Sequence, residues 1–396
     1  MTRHTEVLVI GAGPAGIAAA LTAQRHGLSV EVIDKATFPR DKCCGDGLTT
    51  GALRLLEQLG LRPETVASWK VCRDVTLRSP SGRIVDLQLP ADGQFAAIAS
   101  RMDLDAALVA HARACNITVH EGVAFLDIEQ RDDVIRIVTS AGERTARVVI
   151  AADGMWSPVR KAVLPERSAY LGEWHALRQY VHHVDGPAKD RLYVWFEPEL
   201  LPGYAWSFPL ADGRVNIGFG ILRGASQKPG DMKAVWSAVL QREHVRAALG
   251  DRAVIDDKLS AWPIPARVTS ATLHSGNVLF VGDAACATDV LTGEGIGQAL
   301  LSGVLAGDAA RVSQPGRHYQ RSMRRSFFAD HRMSNVLGRI LGSEVLARAA
   351  LRVIDGGEWR KEKFVRWMFE DEPRASALTP RRWRRGYLSS PGAYTK

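Results

Sequence analysis

The chain has 396 residues, 46% of them apolar and 24% charged, an ordinary balance for a globular protein and enough length for two packed units. No run of about 18 or more apolar residues occurs, so no membrane-spanning helix is expected. The first strand starts within a few residues of Met1, so no signal peptide is expected and the protein is placed in the cytoplasm. Five cysteines, Cys43, Cys44, Cys72, Cys115 and Cys286, are odd in number and form no CxxC pair; neither a disulfide framework nor a metal centre is expected.

The net charge of +8 is unevenly spread. Residues 311–396 carry 19 Lys and Arg against 8 Asp and Glu, and the rest of the chain carries 32 against 35. A basic C-terminal segment on a near-neutral body suggests an acidic partner or, equally, a solvated helical face. The cluster Arg381-Arg382-Trp383-Arg384-Arg385 suits an anionic membrane surface at the inner face of the membrane better than nucleic acid. The protein is expected to be a monomer or a dimer.

Val7 to Ile10 reads as a buried strand, Gly11 to Gly16 as a tight turn, Pro14 to His26 as an Ala-rich helix and Val30 to Asp34 as a second strand, a β-turn-α-β unit in about 30 residues. Phe38 to Gly51 breaks the pattern. Alternating segments fill Val75 to Ile98, a helix runs from about Met102 to Ala114, and strands occupy Val119 to Ala152. Trp174 to Trp262 is aromatic-rich and alternating, which predicts an antiparallel sheet. The chain returns to the first unit at Val278 to Val281 and a helix from about Gly295. From about His318 it is mostly helical, and Pro373 to Lys396 is expected to be partly extended. The domains predicted are 1–72, 100–165 and 268–315 for the first unit, 73–99 and 166–267 for the antiparallel sheet, and 316–396 for the C-terminal region.

Gly11-Ala12-Gly13-Pro14-Ala15-Gly16 follows a strand and opens a helix. The first glycine permits the turn, the second admits a pyrophosphate and the third lets helix pack on strand. The helix N-terminus then faces the phosphates. Asp34, ending the second strand with Lys35 beside it, is placed to hold ribose hydroxyls. This motif alone does not separate FAD from NAD.

Two later segments do. Asp153-Gly154 in Ala152 to Arg160, and Gly282-Asp283 in Leu279 to Ala285, resemble the Asp-Gly and Gly-Asp motifs of the aromatic hydroxylase superfamily of flavoproteins. The resemblance implies FAD as cofactor, with Asp283 on its ribityl chain. Gly293-Glu294-Gly295-Ile296-Gly297 opens a helix whose N–H groups can stabilise negative charge on a reduced flavin. Arg101 matches a superfamily position near the cofactor, with a surface arginine at a helix start as the competing reading.

Two more segments narrow the family. Lys42-Cys43-Cys44-Gly45-Asp46-Gly47 and Pro202-Gly203-Tyr204-Ala205-Trp206-Ser207-Phe208-Pro209 resemble the Lys-x-Cys-Gly and Pro-x-x-Tyr-x-Trp-x-Phe-Pro motifs of the geranylgeranyl reductase family, over roughly Glu6 to Ala310. The fold this implies is α/β: a Rossmann-type, p-hydroxybenzoate hydroxylase-like FAD-binding domain, an inserted antiparallel β-sheet substrate domain and a helical C-terminal region. The activity implied is an FAD-dependent oxidoreductase acting on CH–CH groups, with NADPH or a small redox protein as electron donor and an apolar isoprenoid as substrate. Cys44 and Gly45 would lie beside the flavin ring, with Tyr204, Trp206 and Phe208 on the substrate side. Tyr204 and Trp206 are assigned to the catalytic slot, and Cys44 or a nearby water to proton delivery. The competing readings are core packing for the aromatics and a small buried hydrophobe for Cys44. The chain departs from the family at Val290, where proline is usual; Val290 is expected near the flavin and the substrate.

An oxygen-using hydroxylase or halogenase of the same fold is the main alternative. A halogenase needs a relay lysine, for which Lys70 is the nearest candidate and reads as a surface lysine; Trp262-Pro263-Ile264-Pro265 reads as a coincidental match to the halogenase motif. A flavoprotein serving only as a binding module is a third reading, disfavoured by the complete flavin-edge motif.

Overall fold

A computed structural model of the chain describes residues 3–131, 134–164, 170–224, 229–378 and 388–395. The N-terminal unit is built on β1 (Arg3–Ile10), α1 (Pro14–Arg25) and β2 (Val30–Asp34). In β1, Val7, Leu8, Val9 and Ile10 are all buried, as a strand covered on both faces requires. It pairs in parallel with β2 (Leu8 opposite Glu31) and with a later strand (Leu8 opposite Val149). Thr118–Glu121 continues the parallel sheet beyond β2, and Val278–Phe280 continues it on the other side. α2 (Arg101–Ala114) leads into the first of these strands, and β3 (Gly142–Ala151), the strand beside β1, follows it. Ser100 caps α2 through its hydroxyl.

The second sheet contains β4 (Trp174–His182), β5 (Tyr204–Pro209) and β6 (Val215–Leu222). β6 lies between the other two, antiparallel to both, with Leu177 opposite Phe219 and Trp206 opposite Gly218. One pair in this sheet is parallel, Leu192–Trp195 with Asp74–Arg78. Helices Met232–Leu240 and Glu243–Leu249 interrupt the stretch read as continuous sheet. Met232, Trp236, Val239, Val245 and Leu249 recur at helical spacing and pack on Leu177 and Phe219, covering one face of the sheet. Ala96–Ile98, assigned from sequence to this sheet, instead pairs with Gly47–Thr49 and Lys70–Val71 in a small third sheet.

The opposite face of the large sheet looks back at the first unit. The two-residue period of β5 puts Tyr204, Trp206 and Phe208 on that side.

The chain then crosses back into α3 (Ile296–Ala310), α4 (Pro315–Leu341), α5 (Glu344–Ile354) and α6 (Glu358–Met368). Tyr319 and Met323 bury α4 in the first core, and the Tyr319 hydroxyl donates to the Phe280 carbonyl at 2.6 Å. Arg54 and Arg366 clamp the buried Asp371 at 2.5 and 2.6 Å. Residues 388–395 return to the first unit, where Ala393 bridges to Gln94 and the Tyr394 hydroxyl donates to the Leu61 carbonyl at 3.0 Å. Between these ends, Arg374–Leu378 forms a 3-10 turn; the Arg381 to Arg385 cluster with Trp383 lies outside the described residues. Among those described, no helix is long and apolar enough to cross a membrane.

Helices α1 and α3 meet through small residues. A Cβ on Gly303 would sit 2.2 Å from the Ala15 carbonyl oxygen, and one on Gly307 2.7 Å from that of Ala19. An exposed helical Gly→Ala change gains up to about 1 kcal/mol. At Gly303 overpacking reverses the sign. Gly303→Ala is expected to destabilise by about 1–3 kcal/mol and to lower bound flavin, whereas Gly338→Ala, with open space at its Cβ, should raise the melting temperature. Thermal melts of both variants check this.

Candidate active site between the two sheets

A cavity of about 740 Å³ lies between the parallel sheet and the antiparallel one, within the size range of small-molecule and cofactor sites. One end is the glycine-rich turn. Gly11 has φ +109°, and a Cβ there would lie 2.3 Å from the Ala152 carbonyl oxygen; one on Gly16 would lie 1.8 Å from that of Gly11. No other residue fits either position.

Gly13 differs. The atoms closest to its missing Cβ are guanidinium nitrogens of Arg40 and Arg101, at 3.7 and 3.8 Å. The start of α1, at Pro14 and Ala15, and these two arginines form an anion cradle. Arg101 is buried and pairs with both oxygens of Asp105 at 2.8 and 2.7 Å, and Arg40 shares that carboxylate at 3.1 Å. Burial opposes the Arg101 charge, but Asp105 outweighs it and raises the guanidinium pKa. The reading of Arg101 as a surface residue therefore fails.

Asp34 and Lys35 line the same end. The Asp34 carboxylate accepts from the N–H groups of Ala12 and Ala36 at 2.7 and 2.8 Å, so it also braces the turn. Asp153 and Gly154 line the cavity beside it. One Asp153 oxygen accepts from the Val159 N–H at 3.0 Å; the other is buried without a partner. Burial pushes this carboxyl up to about 6 despite hydrogen bonds from Ser157 and Val159. Further along, Gly282 donates its N–H to the Ser302 hydroxyl at 2.9 Å and Asp283 meets Lys42 at 3.1 Å. Gly293, Gly295 and Ile296 close the far end at the start of α3. The arginine-lined cradle, the unpartnered Asp153 oxygen and the elongated run of these residues fit a flavin dinucleotide.

The facing wall is aromatic. The Tyr204 and Trp206 rings lie 6.1 Å apart at 63°, and those of Trp206 and Phe208 6.0 Å apart at 32°. The Tyr204 hydroxyl donates to the Thr292 carbonyl, and burial, then the nearby Glu294, raises its pKa. The loop Cys44-Gly45-Asp46 lies against this wall; a Cβ on Gly45 would sit 3.5 Å from the Phe208 ring. Burial, then Asp46, pushes the Cys44 thiol up to about 11, so it stays protonated at neutral pH.

A polar hub that the sequence reading missed holds this loop. Asn216 donates to the Cys44 carbonyl at 2.9 Å and to the Asp46 carboxylate at 2.7 Å, and accepts from the Trp206 indole at 3.0 Å. Tyr180 donates to Asp46 at 2.7 Å, as does the Arg101 N–H at 3.1 Å. Arg178 was missed as well; it is buried at the cavity wall, paired with Asp41 at 2.8 Å. The only signal for these residues in the sequence is a polar side chain inside a buried strand.

Val290, expected near the flavin and the substrate, does not itself line the cavity but stands directly behind residues that do. It packs in a satellite cluster with Trp174 and Ala266, and its carbonyl accepts from the Trp174 indole at 3.0 Å. Leu291 and Thr292 line the cavity instead. Trp262, set aside as a chance match, is part of the cavity wall, 5.9 Å from the Lys42 ammonium. Lys70 is occupied elsewhere, donating to the Lys189 carbonyl at 2.7 Å and to Asp190 at 2.8 Å.

The model of the FAD binding domain family matches residues 4–301. Menaquinone reductase of Mycobacterium tuberculosis (strain H37Rv) is 33% identical over 323 residues, 76% of each chain. Digeranylgeranylglycerophospholipid reductase 1 of Methanopyrus kandleri is 30% identical over 323 residues, 77% of this chain and 80% of that one. A geranylgeranyl bacteriochlorophyll reductase-like protein from Thermoplasma acidophilum superposes with a TM-score of 0.78 at 21% identity, covering 96% of this chain and 98% of its own. An FAD-binding fold matched over three quarters of its length by prenyl-lipid and quinone reductases assigns this chain to the geranylgeranyl reductase family of FAD-dependent oxidoreductases.

Proposed function

We propose that the protein saturates carbon–carbon double bonds of a polyprenyl chain, carried by a diphosphate, a lipid or a quinone. The observation that carries this reading is the row Tyr204, Trp206 and Phe208, which faces the cofactor residues across one cavity beside a thiol held neutral. FAD, which the turn over residues 11–16, Asp34, Arg101, Asp283 and the start of α3 would hold, would supply hydride chemistry when bound and reduced. The protein supplies the rest. The aromatic row presents a flat apolar wall to an alkene chain that offers no hydrogen bonds. Cys44 gives the thiol proton to one alkene carbon, and solvent restores it. Asn216 and Asp46 fix the loop that carries Cys44, and Thr292 fixes the Tyr204 ring through its hydroxyl. NADPH or a small redox protein would restore the reduced cofactor. Lys70, the residue considered for a halogen relay, is tied to Asp190 and does not line the cavity, so it is not placed for that role.

Dithionite-reduced holoenzyme without oxygen should add two mass units to a polyprenyl chain for each bond reduced. Cys44→Ala should lower kcat by about 100-fold with little change in KM. Trp206→Ala should lower kcat/KM for long chains by about 10–100-fold, the loss of one large apolar contact, at unchanged flavin content. A product that forms only with oxygen, and carries oxygen or halogen, overturns the reading.

We also propose that the C-terminal helices rest on the anionic cytoplasmic face of a membrane. Val336 and Ile340 on α4, Val345, Leu346 and Val353 on α5 and Trp359 on α6 are exposed, among the arginines 339, 348, 352 and 360. This surface adjoins Pro202, whose ring lies about 4.0 Å from the Cβ position of Gly342, at the loop leading into β5. Each basic residue near such a surface contributes about 1 kcal/mol. Liposome co-sedimentation should show binding to anionic vesicles that salt weakens and that Val345→Asp with Trp359→Ala reduces at least about tenfold. Equal binding to neutral vesicles would remove the electrostatic part of the proposal.

A further inference from the structure

Glu294 has no part in the chemistry above, yet it lines the cavity just before α3. Behind it the C-terminal region brings together a buried group of acids. Asp289 pairs with Arg374 at 2.8 Å and accepts from the Leu291 and Thr292 N–H groups and from the Thr292 and Ser334 hydroxyls. Glu370 lies 3.0 Å from the same guanidinium and accepts from the Thr49 hydroxyl and the Gln298 amide, each at 3.1 Å. Glu294 takes backbone N–H groups, that of Gly297 at 2.7 Å and that of Ile296.

Asp289 and Glu370 thus share one guanidinium, and Glu294 stands beside these two carboxyls as a third acid. The other facing groups do not correct the imbalance. Asp330 on α4 adds a further acid, bound to the N–H groups of Arg374 and Ala375. Burial lowers the pKa of His331, also on α4, and keeps it neutral. On the cavity side Tyr204 and Cys44 are neutral. Arg54, on the neighbouring helix Thr50–Leu59, is committed to Asp371. A buried cluster with excess negative charge binds a proton. Arg374 and hydrogen-bond donors hold the Asp289 carboxyl low; burial raises that of Glu370 as well, but Arg374, Gln298 and Thr49 oppose it there, whereas Glu294 has backbone donors, so the proton settles on Glu294.

We propose that Glu294 is a redox-linked proton carrier of the active site, a positioning residue that sets how much negative charge the cavity bears when the cofactor is reduced. The inference rests on FAD in this cavity and not on the prenyl substrate. Two electrons and one proton convert FAD to its reduced anion, which adds negative charge beside Glu294 and tightens its hold on a proton. Burial first, and Glu370 second, push the Glu294 carboxyl up to about 8. Below that pH it is protonated in both redox states, and reduction takes up one proton per two electrons. Above it the carboxyl is ionised in the oxidised enzyme and regains its proton on reduction, so two are taken up.

Potentiometric titration of the holoenzyme from neutral to alkaline pH tests this. The slope of midpoint potential against pH should double above about pH 8. Glu294→Gln should keep the shallow slope throughout with its flavin spectrum intact. Glu370→Gln, which removes the neighbouring negative charge, should move the break to lower pH. A single slope in the wild type, the same break in Glu294→Gln, or an unmoved break in Glu370→Gln overturns the proposal. A wild-type protein that holds no flavin would instead overturn the cofactor assignment.

Discussion

The contact of α1 with α3 governs the cavity. Gly303 lies against the Ala15 carbonyl and Gly307 against that of Ala19, so the two helix axes approach as closely as backbone allows. The N-terminus of α1 faces the Arg40 and Arg101 cradle, and the N-terminus of α3 begins at Ile296 on the far side of the same cavity. One packing contact therefore fixes two positive helix ends relative to each other. A shift of either helix would change the spacing between the phosphate-binding end and the end where the cofactor reacts.

Polar contacts help to register the second sheet to that frame. Asp46, fully buried, gathers the Arg101 N–H from α2, the Tyr180 hydroxyl from β4 and the Asn216 amide from β6. A buried carboxyl is costly unless its acceptors are filled, and here filling them requires all three elements to be in place. The same asparagine holds the Cys44 carbonyl and the Trp206 indole. The Cys44 loop and the aromatic wall thus share one support in that amide group.

Much of the cofactor end was legible because its chemistry is local. Gly11, Gly13, Gly16 and Asp34 act within one β-turn-α-β unit, and Asp153-Gly154 and Gly282-Asp283 each follow a strand of the same sheet. The motif at Pro202 to Pro209 placed three aromatic side chains on one face because strand periodicity is two. What escaped was long-range. Nothing in the surroundings of Asn216 or Tyr180 in the sequence announces that Asp46 waits 170 or 134 residues away. At Val290 the sequence could not tell which residues of the loop face the cavity: Leu291 and Thr292 line it, while the Val290 carbonyl accepts from the indole of Trp174, itself a lining residue. The helices over 232–249 were lost in a stretch whose aromatic content reads as sheet. Their apolar spacing becomes decisive once the sheet face that they cover exists.

The two ends of the cavity solve opposite electrostatic problems. At the cradle, Asp105 pairs with both Arg40 and Arg101 and raises the Arg101 guanidinium pKa against burial, so a buried cation is held ready for an anion. At the aromatic end, burial drives each ionisable group toward its neutral form: the Cys44 thiol, the Tyr204 hydroxyl and the Glu294 carboxyl. Charge there would oppose an alkene chain twice, by holding water in the slot and by weakening the apolar contact. The neutral groups remain proton carriers because it is the charged form that burial penalises. The same desolvation that makes the wall fit for a hydrocarbon therefore keeps the Cys44 thiol protonated, as the proton delivery proposed for it requires.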